Sequence, residues 1–313
     1  MAQILKKLLI STSIAAGMGF AISAPASAAS LTNASVDNGS SDYILYCLNG
    51  GQTTSDGCTD LDTVLGSDAG NIELDGDSET PGGWGDAVSV TGEISGQSIT
   101  VSSLTAADWL ADVDGQELGL TWITDAVTAL AAQNPVLGAI LGSDASVIAG
   151  AASDLWDYLK ADSDAFTALF SRMSDPNVSF VEEEGGNINI GLIGHFNAFD
   201  IPGYEDLLIN GLADALDVPT ALVGALLAEV DLSFQASELV KVIYNGETQY
   251  KYSFSATDTG VTEASDGGSH SGEYIVTLEG AGIEPPAKTP EPSLMLGLAG
   301  LAGLYASKRK LQK

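Results

Sequence analysis

Lys241-Val242-Ile243-Tyr244-Asn245-Gly246-Glu247-Thr248-Gln249-Tyr250-Lys251-Tyr252-Ser253-Phe254 is the stretch that fixes the kind of fold this chain adopts. Two runs rich in β-branched and aromatic residues flank Asn245-Gly246. That dipeptide tolerates the positive φ angles a type I′ turn demands, so residues 241–254 read as an antiparallel hairpin. A second hairpin is expected upstream. Val88, Val90 and Ile94 alternate on one side of Ser95-Gly96, and Ile99 and Val101 on the other. A third is expected where Val178, Phe180, Ile188, Ile190 and Leu192 surround Glu184-Gly185-Gly186-Asn187. Shorter strand runs are Tyr43-Ile44-Leu45-Tyr46 and residues 273–278.

Between these runs the period changes. Thr105, with Asp108 three positions on, has the form of a helix start. From about residue 106 to 173 apolar residues recur at helical spacing, Leu155, Leu159, Phe166 and Phe170 among them. Pro135 and Gly142-Ser143-Asp144 divide the region into about three helices. The uncharged run 126–143 contains Thr128, Gln133, Asn134 and Pro135, which suits a buried helix pair better than a membrane span. Two further helices are expected over 204–216 and 219–229, the second opened by Pro219. Antiparallel β-hairpins flanking a central helical region imply an α+β domain over residues 29–281, with 282–288 as a linker. No fixed-period repeat is present, which removes solenoids and propellers.

The chain has 313 residues, 11 basic against 42 acidic, for a formal net charge of −31. Six of the basic residues sit at the two ends, and the body keeps Lys160, Arg172, Lys241, Lys251 and Lys288. Nothing in the body can neutralise phosphates, so nucleic acid and anionic lipid are excluded as partners.

Both ends read as processing segments. In residues 1–28, Lys6 and Lys7 precede an apolar run, and Ala26-Ser27-Ala28 supplies a small-x-small cleavage pattern. This is a secretory signal peptide, cut after Ala28 by signal peptidase following export through the Sec translocon. Ala24-Pro25-Ala26 is a second possible site. At the other end, Pro290, Glu291 and Pro292 precede an apolar stretch of about 13 residues, 294–306, and then Lys308, Arg309 and Lys310. As a helix the stretch would be roughly 20 Å long, short of the ~30 Å hydrocarbon core. Trailing cations hold its end in the cytoplasm and leave the body outside.

These parts in this order resemble the PEP-CTERM sorting domain, over residues 289–313. The resemblance implies a transient membrane anchor cleaved by an exosortase, and an exported protein of the cell surface or extracellular matrix. It further implies a setting in bacteria that make exopolysaccharide.

Candidate chemistry in the body is sparse. Cys47 and Cys58 are the only cysteines, and in an exported protein they can close a disulfide loop of about a dozen residues; two free thiols are the alternative. Asp75, Asp77 and Glu79 alternate, with Asp86 at the twelfth position, a spacing that suits Ca²⁺. Thr80 at the sixth position and Pro81 after it depart from an EF-hand loop, so an acidic turn is the other reading. His195 and His270 are the only histidines, the first at a strand end, the second in a loop pattern, Gly268-Ser269-His270-Ser271-Gly272. No phosphate loop, dinucleotide fingerprint or HExxH occurs. No catalytic residue and no obligatory cofactor is expected, and a non-enzymatic structural or interaction role follows. The alternatives are a polysaccharide hydrolase with paired carboxylates and a Ca²⁺-dependent adhesion module. Two histidines and four tryptophans tilt the balance away from a sugar-processing cleft.

Overall fold

The computed structural model describes residues 29–37, 42–65, 70–75, 86–135, 138, 145–200, 209–211, 213, 219–227, 233–265 and 268–279. The expected signal peptide, the linker 282–288 and the tail with Pro290, Glu291, Pro292, Lys308, Arg309 and Lys310 lie outside them, as do Asp77, Glu79 and most of the expected helix 204–216.

Strands run in chain order as β1 (Ala29–Ser30), β2 (Thr32–Val36), β3 (Ile44–Asn49), β4 (Gln52–Thr54), β5 (Gly70–Glu73), β6 (Ser89–Ile94), β7 (Gln97–Ser102), β8 (Asp112–Val113) and β9 (Gln116–Glu117). They continue as β10 (Asn177–Glu184), β11 (Asn187–Gly194), β12 (Val240–Tyr244), β13 (Glu247–Lys251), β14 (Ala256–Asp258), β15 (Thr262–Glu263) and β16 (Gly272–Glu279). Helices are α1 (Leu61–Leu65), α2 (Ala106–Trp109), α3 (Leu118–Gln133), α4 (Ala145–Ala161), α5 (Ser163–Met173) and α6 (Thr220–Leu227). The class is α+β.

The hairpins form where the turn chemistry allows. Asn245 and Gly246 have φ of 53° and 80°, and Ser95 and Gly96 have 50° and 76°. These are the left-handed pairs that match strand twist in a two-residue turn. The smaller sheet has the order β13-β12-β7-β6-β2 and is antiparallel throughout. The larger follows β14-β16-β11-β10-β5-β3-β4-β15, with β1 on β10; its β15–β4 pair is parallel. The two sheets face each other across one core. Ile72, Val178, Ile190, Leu192 and Tyr274 meet Val90, Ile99, Val101, Val240 and Val242 there.

One expectation about facing fails. Simple alternation puts Val178 and Phe180 on the same side. β10 instead carries a bulge: Val178 pairs with Leu192 and Phe180 with Gly191, so Ser179 is an extra residue. The insertion turns Val178 and Val181 into the core and sends Phe180 to the opposite face. There its ring lies over Gly191, where any Cβ would collide with it.

The helices pack as a separate layer around Trp109, Trp122 and Trp156. The ring centroid of Trp109 is 5.8 Å from that of Trp122 and 6.3 Å from that of Trp156. Trp109 Nε1 donates to Ser174 Oγ at 2.8 Å, and Trp156 Nε1 to Glu117 Oε2 at 2.6 Å. The layer joins the smaller sheet through Tyr250, Tyr252 and Phe254. At the start of α2, Asp108 N donates to Thr105 Oγ1, and Asp108 Oδ2 accepts from Thr105 N at 2.9 Å, a complete capping box. Sequence reading missed the small β8–β9 ribbon between α2 and α3. Among the described residues no helix is long and apolar enough to cross a membrane.

Candidate functional site

The larger sheet curls so that its two ends lie close together. Its two ends, β14 and β15, are joined by the three residues 259–261. Four Cα steps reach at most about 14 Å. Seven strand spacings in a flat sheet would span about 34 Å. The sheet therefore has to curl. Backbone bonds tie the two ends to their neighbours: Thr259 N donates to Ser271 O (3.0 Å), Glu263 N to Ser269 O (2.9 Å) and Ala264 N to Thr53 O (2.9 Å). The outer surface of this curled, barrel-like sheet is the face packed on the smaller sheet. The inner surface lines a half-open cavity of about 250 Å³, called the lumen.

Strand alternation decides what lines the lumen. On β5, Ile72 points to the core and Asn71 inward to the lumen; on β16, Tyr274 and Glu273 divide in the same way. The bulge in β10 adds Ser179 and Phe180 to the lumen wall, and β4 adds Thr53. His270 enters from the segment before β16. Its backbone is left-handed, φ 65°, a conformation histidine adopts more readily than bulky residues do. The ring is 2% exposed. Its Nδ1 lies 2.5 Å from Thr53 Oγ1 and 3.5 Å from Asn71 Nδ2, with the ring edge-on to Tyr46 at 4.7 Å. The tautomer of the ring sets which partner donates in the Thr53 bond. The loop pattern around His270 thus holds a buried residue; its Gly and Ser neighbours supply tight backbone bonds, with Ser271 Oγ donating to Gly268 O at 2.7 Å.

Tyr46 OH donates to Glu73 Oε2 at 3.0 Å. Burial first, and then the Glu73 charge, push its phenol well above the ordinary tyrosine value. Two polar atoms at the lumen, Asn71 Oδ1 and Ser179 Oγ, are buried without a hydrogen-bond partner among the described residues.

A second polar group lies at the junction of α5 and β10. Asn177 is paired with Glu73 across the strands, and Asn177 N donates to Glu238 Oε2 at 3.0 Å. Burial raises the carboxyls of Asp175 and Glu238 well above the usual range. The Glu73 charge adds to this at Asp175, and the Asp175 charge at Glu238. These interacting carboxyls are buried in the junction and do not line the lumen.

Of the residues singled out in the sequence, Cys47 and Cys58 are joined by a disulfide with Cα atoms 5.6 Å apart. Asp75 follows β5 and Asp86 precedes β6. Among the described residues no cluster of three or more His, Cys, Asp or Glu side chains has the arrangement of a metal site. His195 sits at the end of the lumen wall, its carbonyl accepting from Tyr274 OH at 2.6 Å and its ring against Gly268. Thr53, Asn71 and Ser179 escaped sequence reading, since an isolated polar residue in a strand carries no local signal. No protein-family model, curated protein or solved structure matches the chain.

Proposed function

We propose that this chain is an exported protein, sorted through its C-terminal tail and active outside the cell as a non-enzymatic surface or matrix component. The observation that carries the reading is the order of parts in residues 289–313: Pro290-Glu291-Pro292, a short apolar stretch, then Lys308-Arg309-Lys310, behind an N-terminal leader. Signal peptidase, the Sec translocon and an exosortase-type enzyme are the processing partners, and exopolysaccharide is the candidate matrix partner. Contact with the membrane is confined to the tail before it is cleaved.

Two features of the body support this reading. Ala29, the first residue after the expected cut, is already a strand residue paired with Glu183, and Leu31 N donates to Val181 O at 3.0 Å. The residue that would become the amino terminus is thus held by strand pairing. The Cys47–Cys58 bridge also suits an oxidising compartment.

The test is deletion of residues 289–313 in a bacterium that carries an exosortase. Surface-protease accessibility and medium fractions then report where the product goes. Loss of envelope retention is expected; an unchanged distribution would remove the sorting role.

A further inference from the structure

We propose that the lumen of the curled sheet binds one small, hydroxyl-rich, uncharged molecule about the size of a single sugar ring. The inference does not depend on the sorting tail.

Size is the first argument. Here the side chains leave about 250 Å³, the room of about eight water molecules. That is just below the volumes that take drug-sized ligands, roughly 300–1,000 Å³.

Chemistry is the second. Asn71 is 1% exposed and Ser179 is 7% exposed, and Asn71 Oδ1 and Ser179 Oγ have no hydrogen-bond partner among the described residues. Buried polar atoms without partners are rare in folded proteins, and these two, an amide oxygen and a hydroxyl, border the same space. A hydroxyl group, which both donates and accepts, can satisfy either of them. Glu273 also lines the space, and among the described residues no lysine or arginine does, so a phosphate or carboxylate ligand finds no countercharge there. The ring of Phe180, laid over Gly191, provides an apolar wall beside these polar atoms. Hydroxyls along an edge and C–H bonds on a face are what a pyranose presents.

Access is the third. The segment carrying His270 is held over the lumen by Thr259, whose Oγ1 donates to His270 O at 2.8 Å, and by the Thr53 bond. The cavity is also half open, so a small solute reaches it without moving this segment.

The test uses the purified exported protein and the imidazole NMR signals of its two histidines. Glucose, galactose and N-acetylglucosamine are titrated to about 20 mM, each beside its methyl glycoside, with glucuronate as the anionic control. Saturable movement of the His270 signals, larger than that of His195, is expected with at least one neutral sugar and absent with glucuronate. Binding of the methyl glycoside would mark a glycan end as the natural source; binding of the free sugar alone would mark a monosaccharide. In Ser179→Ala, affinity should fall about tenfold with an unchanged melting curve. If no neutral sugar moves the His270 signals in the wild-type protein, or glucuronate moves them equally, the lumen holds only water and the proposal fails.

Discussion

His270 Nδ1 and Thr53 Oγ1 meet at 2.5 Å although 217 residues separate them in sequence. The contact joins the segment leading into the last strand to the short hairpin near the start of the body, and so helps hold the curled sheet. Thr53→Val keeps the shape and the strand propensity but removes the hydroxyl. The variant should lose about 1–2 kcal/mol, read from urea unfolding at unchanged slope.

A second long-range contact should be costlier to break. Asp108 is 6% exposed, and its Oδ1 accepts from Lys241 Nζ at 2.7 Å and from Tyr250 OH at 2.7 Å. Burial works to raise its carboxyl, but bonds from Lys241, Thr105 and Tyr250 outweigh that and hold it below the ordinary aspartate value. A lowered folded value means the ion contributes stability above about pH 4, lost as the pH falls through the folded value. Lys241→Met leaves the carboxylate buried without its cation. A loss of about 2 kcal/mol at pH 7 is expected, shrinking toward acid, by thermal melts across pH.

Glu238 has the opposite sign. Its folded value is raised above the ordinary 4.5, by burial first and then by Asp175. Its contribution is therefore complete below that ordinary value and is lost as the pH rises through the folded one. Glu238→Gln retains an oxygen for Asn177 N–H and removes the charge. The variant should match the wild type near pH 4 and exceed it by about 1 kcal/mol or more at pH 8, by the same melts.

The Cys47–Cys58 bridge spans 11 positions and ties β3 to the turn after β4. Replacing both cysteines by serine should cost about 3 kcal/mol in chain-entropy terms. Reductant should lower the wild-type unfolding midpoint and leave the double variant unmoved.

The hairpins were legible because their information is local. Asn245-Gly246 and Ser95-Gly96 carry their turn geometry in two residues, and the Thr105–Asp108 cap in four. The curled sheet was not legible. Its pairings join β5 to β10 and β4 to β15, elements far apart in sequence, and no residue between them signals the partner. The facing of Phe180 was lost for another reason: a one-residue bulge reverses alternation without any mark in composition. His270 looked like loop because Gly and Ser surround it, and only the fold brings Thr53, Asn71 and Tyr46 to it. The charge reading needed no geometry, because the expectation of no polyanionic partner rests on a net charge of −31 alone.

Export and tail processing are tested most directly by the intact mass of the mature protein recovered from the cell surface or medium. The expected product has its amino terminus at Ala29 and its carboxyl terminus at or near Pro290-Glu291-Pro292, with Lys308, Arg309 and Lys310 removed. A product beginning at Met1, or one that still ends at Lys313, would contradict it.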